Sequence, residues 1–249
     1  MEYDLWVDES GDFGKEEKPS LVGGFLVKSG TLDHHHAKKI LEKALERDIE
    51  KGEWPHATDV PKDKFGKIIM SIISQLKSAN AKIVVFENNE SKVFSNTAET
   101  YLNVLAEGII QLIKENVVVD KSFTLNAYIA RKMYKPNNGD LQEIFPEEYK
   151  KILSKKIKQG FVRRNIKFNE NYLNIFIKSA RTETELFLCD FICHTYYRRE
   201  NKLSISEKEY LAKVSSDDYY FTAIDTDNNK YMKELIYRGS VGKHYSNGY

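Results

Sequence analysis

An α/β fold with a mixed sheet flanked by helices is the architecture the sequence predicts, and three observations predict it. Two short apolar strands, residues 3–8 and 21–27, come first with only a loop's length between them. Strand-like runs then alternate with helical ones. No internal repeat or long low-complexity linker interrupts that order. Paired strands followed by strands separated by helices form one sheet with helices packed on its faces.

The first strand, Tyr3-Asp-Leu-Trp-Val-Asp8, runs into Glu9-Ser10-Gly11-Asp12, residue types that make turns. The second, Leu21-Val-Gly-Gly-Phe-Leu-Val27, follows closely enough that an antiparallel hairpin is the economical pairing. Residues 34–50 have helical character with a mixed charged face. Residues 53–60 read as a loop or short strand holding His56 and Asp59. Pro61 suits the first turn of a helix to about Lys77. Residues 82–87 form a strand. Asn96-Thr97 can cap a helix to about Lys114, with Leu102, Leu105, Ile109 and Leu112 at helical spacing. Residues 122–130 alternate like a strand, 146–160 form a basic helix opened by Pro146, and 172–177 form another strand. Thr182, with Glu185 three residues on, reads as a capping box for a helix over 183–199.

The 249 residues suit one large domain, since single cores stop growing at roughly 250–300 residues. Residues 1–199 are expected to form the core. Residues 200–249, polar and Tyr-rich, read as a C-terminal extension packed on it and as a surface for a protein partner or a second copy. The balance of 41% hydrophobic and 30% charged residues excludes a disordered chain. A net charge of +1 excludes bulk attraction to polyanions, so any nucleic-acid contact must come from local patches. No run approaches the ~20 apolar residues of a membrane span. The acidic N-terminus lacks the basic and apolar regions of a signal peptide. A cytoplasmic protein is expected. Cys189 and Cys193, four apart on one helix face, read as buried thiols, because a regular helix does not bring such sulfurs into bonding geometry.

Asp8-Glu9-Ser10-Gly11-Asp12 puts three carboxylates within five residues at the end of an apolar strand. Oxygen ligands on a rigid strand end suit Mg²⁺ or Mn²⁺. The same residues are ordinary turn formers, so an acidic turn and a metal site both stand at this point. Asp190 lies inside the apolar run Leu186-Phe-Leu-Cys-Asp190-Phe-Ile-Cys. A lone buried charge is costly, so it must be paired, neutralised or bound to metal. Glu183 stands seven residues earlier on the same face and His194 four later. A capping and salt-bridge helix with Asp190 facing solvent or Arg198 is the competing account. A strand-end acid and a late-helix acid that converge would suit two divalent ions about 3.5–4 Å apart acting on a phosphodiester.

The opening Trp6-Val-Asp8-Glu9-Ser10-Gly11-Asp12-Phe13-Gly14 with Leu21-Val-Gly-Gly-Phe-Leu-Val resembles the first hairpin of a bacterial family, the domain of unknown function numbered 3800. Leu186-Phe187-Leu188-Cys189-Asp190 resembles that family's late leucine-glutamine-leucine-alanine-aspartate helix. Trp54-Pro-His56-Ala-Thr-Asp59 resembles its loop before the second helix. The resemblance spans roughly residues 3–199, with its specific motifs at the two ends. It implies a ribonuclease H-like fold and a metal-dependent nuclease of DNA or RNA in a bacterial or phage setting, such as defence against mobile elements. Asp8, Glu9, Asp190 and His56 are then the expected catalytic residues, and Asp8, Asp12, Glu183 and Asp190 the expected metal ligands. The chain departs from the family at Phe187, where a polar residue is common, and in the strand Asn126-Ala-Tyr-Ile-Ala130, which lacks an acid. Glu87, Glu107 or Glu183 would have to supply a third carboxylate.

His56 alone reads equally as a structural loop histidine. His34-His35-His36 reads as a solvated helix start. Lys150, Lys151, Lys155, Lys156, Lys158, Arg163, Arg164 and Lys167 form a run free of acids from Tyr149 to Asn169. Within it Lys155, Lys156, Lys158, Arg163 and Arg164 are expected to track a nucleic-acid backbone, against the alternative of a solvated helix face. Two further functions stay open. One is a catalytically inactive binding module for nucleic acid or protein, which the missing middle-strand acid favours. The other is a hydrolase of small phosphate esters, for which no Walker-type glycine loop is present.

Overall fold

The computed structural model describes residues 1–11, 13, 20–50, 55–87, 97–119, 122–131, 133–134, 142–143 and 146–200. The strands are β1 (Glu2–Gly11), β2 (Ser20–Lys28), β3 (Lys82–Glu87), β4 (Thr124–Ala130), β5 (Met133–Tyr134), β6 (Gln142–Glu143) and β7 (Leu173–Lys178). The helices are α1 (His34–Leu45), α2 (Lys62–Ser78), α3 (Thr97–Val119), α4 (Pro146–Arg163) and α5 (Thr184–Glu200). The Tyr-rich extension, from residue 201 onward, lies outside the described residues.

Five strands form one sheet in the order β3-β2-β1-β4-β7, and β5 and β6 pair separately. β1 and β2 make the antiparallel hairpin, with Leu5 opposite Leu26 and Asp8 opposite Gly23. β3 runs antiparallel to β2. β4 runs parallel to β1, and β7 parallel to β4. The sheet is therefore mixed, and β1 lies at its centre.

Alternation along the strands divides the core into two layers. Trp6, Leu21, Phe25, Val27, Ile83 and Val85 pack with α1, α2 and α5. Leu5, Val7, Val22, Leu26, Val84 and Phe86 face the other way, onto α3 and α4. Helices thus cover both faces of a sheet whose central strands are buried, which is why β2 and β3 read as continuous apolar runs. Leu102, Leu105, Ile109 and Leu112 of α3 are all buried.

Several sequence-based boundaries move. α1 ends at Leu45 rather than near residue 50, because Glu46 turns left-handed at φ 55° and sends its N–H back to the Glu42 carbonyl. Glycine usually marks such an end, so Glu46 gave no signal. Residues 57–59 form a 3₁₀ turn rather than a strand. Pro61 caps α2 from outside the helix. The expected capping box at Thr182 does not form: its hydroxyl donates to the Ser179 carbonyl, and α5 begins at Thr184. At α1, Asp33 accepts the His36 N–H at 2.7 Å and caps the histidine run. No helix of the described residues is long and apolar enough to cross a membrane.

Candidate active site

β1 carries Asp8 on the face that packs under α5. Opposite it stands Gly23, and a Cβ built there would meet Cys193 Sγ at 3.2 Å. At the neighbouring Gly24 a Cβ would lie 1.9 Å from the Trp6 carbonyl oxygen and 2.8 Å from Cys189 Sγ. The glycine pair therefore lets α5 settle against the hairpin. The Cys193 thiol completes the join, donating to the carbonyls of Asp8 at 3.3 Å and Gly23 at 3.1 Å. Both cysteines are buried free thiols.

Asp190 lies one turn before Cys193 on α5, and this brings it to Asp8. Burial pushes the Asp8 carboxyl well above the usual carboxylate range. The negative charge of Glu9 adds to the rise and the Glu9 N–H, bonded at 2.8 Å, opposes it. The charge of Asp190 then raises it further. The pair foreseen from two distant motifs is thus close enough to interact.

Asp190 is held from its other side by the 3₁₀ turn. The Ala57 N–H donates to Asp190 Oδ2 at 2.9 Å, and His56 Nδ1 lies 3.5 Å from the same oxygen. The His56 ring leans over Phe187, 5.8 Å between centroids, and its side chain is 62% exposed. This joins His56 to the acidic pair, as the sequence suggested on weaker grounds.

Glu9 follows Asp8 on the strand, where the pleat turns alternate residues toward α3 and α4. Tyr101 and Tyr149 are buried on that side, and burial lifts both hydroxyls well above their usual range. Glu9 and Asp8 add to the rise in each. Phe13 packs edge-on to Tyr101 at 5.3 Å. These tyrosines and the Cys193 thiol were not foreseen as neighbours of the site. Tyr101 and Cys193 at least stand in largely apolar helical runs, whereas Tyr149 sits between acids and lysines in a basic helix and carries no such trace.

The other expected ligands lie elsewhere. Glu183 pairs with Lys178, 3.4 Å between Oε1 and Nζ. Glu107 is buried between α3 and α4 in an ion pair with Arg164. Glu87 ends β3, in register with Leu21, two strands from β1. Asp12 lies outside the described residues. Among the described residues, no three His, Cys, Asp or Glu side chains gather closely enough to hold a metal ion.

The donor set still fits a hard cation in kind. Asp8 and Asp190 offer carboxylate oxygens, and their mutual repulsion is relieved by a proton or by a cation. Mg²⁺ is commonly held by one or two carboxylates, with water and substrate filling the rest. Asp8 and Asp190 are donors of that kind, whereas an all-protein cage would need more.

The basic run divides on folding. Lys156 bonds to Glu99 and Asn103, and Arg164 to Glu107 and the Gly160 carbonyl, so these two face α3. Lys155, Lys158 and Arg163 are exposed. No protein-family model matches the chain, and no curated protein matches it.

Proposed function

We propose that this chain is a metal-dependent nuclease with a ribonuclease H-like core, its centre built on Asp8 and Asp190. One arrangement carries the reading: α5, which holds Asp190, is bonded through Cys193 to the Asp8 carbonyl of β1 at 3.3 Å, and the Asp190 charge adds to the rise of the Asp8 carboxyl. The two motifs that resemble the domain of unknown function 3800 family include those residues, and the resemblance is what supports a bacterial or phage role such as defence. The mixed sheet with α5 laid across its central hairpin supports the fold assignment.

In this reading Asp8 and Asp190 hold Mg²⁺ or Mn²⁺, with Glu9 as a neighbouring carboxylate. Bound there, the cation supplies Lewis acidity toward a phosphodiester and offsets the crowded negative charge. The Ala57 N–H orients Asp190 by fixing Oδ2. With its proton on Nδ1, toward Asp190, His56 presents Nε2 as an acceptor near the site. Cys193 and the glycine pair keep α5 in register with β1.

The deciding experiment is cleavage of labelled single- and double-stranded DNA and RNA in Mn²⁺ by the wild type and Asp8→Asn. Cleavage by the wild type and its loss in the folded variant support the nuclease. Equal cleavage by both sinks the assignment. A second reading, a nucleic-acid or protein-binding module without catalysis, is favoured by the absence of a third converging acid among the described residues. Mn²⁺ would then leave the melting temperature unchanged.

A further inference from the structure

A second region of the molecule carries a different chemistry. β7 is the outer strand of the sheet, and among the described residues nothing pairs with its free edge. Between that edge and α4 lies a cleft of about 350 Å³. Lys150, Ser154, Lys158, Phe168, Asn174 and Phe176 are among the residues lining it. That volume is at the small end of the range for ligand sites, roughly 300–1,000 Å³.

The α4 side of the cleft is cationic. Lys150, Ser154 and Lys158 are spaced four apart on one exposed helix face. The two lysines stand about 12 Å apart along the axis at 1.5 Å per residue. Among the described residues, no carboxylate lines the cleft.

The sheet side is aromatic. Phe176, 39% exposed, stacks on Tyr128 with centroids 4.9 Å apart and planes 16° from parallel. Tyr128 stacks on Trp6 at 4.2 Å and 10°. The strand register puts these three rings in one row across β7, β4 and β1. Trp6 is buried, and its indole Nε1 has no hydrogen-bond partner among the described residues. Asp8 stands two residues beyond Trp6 on the same face, about 7 Å along the strand. β7 lies two strands from β1, roughly 10 Å across.

The next row is polar and closed on itself. Asn174 donates to Asn126, and Asn126 to Asp4 and Glu2. Burial raises the Tyr128 hydroxyl, and Asp4 and Glu2 raise it further. These acids repel phosphates from that row, whereas the lysines of α4 attract them. The two sides therefore sort a ligand into phosphates on α4 and flat rings on the sheet.

We propose that the cleft between α4 and the edge of β7 binds single-stranded nucleic acid, with phosphates on Lys150 and Lys158 and an unpaired base stacked on Phe176. Aromatic faces accept any base but only an unpaired one, so a duplex is excluded from the stacking position. The inference deepens the nuclease reading and rests on it only for the fate of the bound strand.

Binding is measured by fluorescence anisotropy of the full chain with fluorescein-labelled oligothymidylate in EDTA, where no cleavage intervenes. Lys150→Ala/Lys158→Ala should weaken binding at least tenfold at low salt. It should also flatten the slope of log affinity against log salt by about 1.4, at about 0.7 per phosphate contact on a single strand. Phe176→Ala should weaken binding about tenfold and leave the slope unchanged, with Phe176→Trp restoring it. Should Phe176→Ala melt early, Phe176→Leu keeps the apolar volume and removes the ring face. Wild-type binding by both the lysine and the Phe176 variants overturns the proposal. So does a duplex of equal length bound as tightly as the single strand, or an acidic peptide bound in a lysine-dependent way while the oligonucleotide is not. A chain that binds as described and never cleaves keeps this site and loses the nuclease. A chain that cleaves through Asp8 while the cleft variants bind normally does the reverse.

Discussion

Asp190 Oδ2 accepts the backbone N–H of Ala57 at 2.9 Å, joining α5 to the turn between α1 and α2 beside the first strand. A carboxylate that uses one oxygen on a backbone donor is oriented before any ligand arrives. His56, next to Ala57, lies 3.5 Å from the same oxygen. The turn thus sets the acid and the histidine together. Each expected outcome below follows from a contact of this kind.

Asp8 makes the metal-free protein sensitive to pH. Its carboxyl is raised in the folded state by burial first, then by Glu9 and Asp190. The folded chain therefore holds that proton more tightly than the unfolded chain does. The resulting stability is present in acid, below the unfolded value, and is lost as pH rises through the folded value. In EDTA, Asp8→Asn should therefore gain stability over the wild type as pH rises toward neutral. Urea unfolding at a series of pH values reads the gap. A gap independent of pH would mean that Asp8 is not raised.

Gly24→Ala should be costly. The added Cβ would lie 1.9 Å from the Trp6 carbonyl oxygen, a backbone atom that cannot rotate away. The loss should reach at least the upper end of the roughly 1–3 kcal/mol typical of overpacking. Chemical denaturation measures it, and a loss below 1 kcal/mol would show that α5 sits less tightly on the hairpin.

Cys193→Ala removes a thiol that donates to both Asp8 and Gly23. It should cost about 1–3 kcal/mol through the lost bonds and the small cavity. Any Mn²⁺ stabilisation should fall with it, because the register of α5 on β1 loosens. Undiminished Mn²⁺ stabilisation in Cys193→Ala would separate that thiol from the site.

Arg164→Ala leaves Glu107, 2% exposed, as an uncompensated buried charge. The expected loss is about 3–5 kcal/mol, and Arg164→Met/Glu107→Leu should recover most of it. Oligonucleotide affinity of the folded double variant should match the wild type. A marked drop in that affinity would return Arg164 to the nucleic-acid surface.

These cases show which features the sequence carried. β3 is read correctly at both ends because a buried strand is an apolar run with polar borders. The β1–β2 hairpin follows from its short connection. The end of α1 was hidden, since Glu46 takes a left-handed turn normally signalled by glycine. The acids Asp8 and Asp190 were individually legible, but their proximity depends on how closely α5 approaches Gly23 and Gly24, and that is a matter of packing. The lysine run was legible as a patch. Its division was not, because Lys156 and Arg164 find Glu99 and Glu107 on α3, an acid pair with the same eight-residue spacing on a different helix. The stacked row Trp6–Tyr128–Phe176 comes from three strands whose register only the folded sheet reveals.

The most direct test of the central claim is anomalous diffraction from a crystal soaked in Mn²⁺. A peak between the carboxylates of Asp8 and Asp190, absent in Asp8→Asn crystals, is the expected result. No peak there in crystals of the folded wild type would contradict the metal site on which the nuclease reading stands.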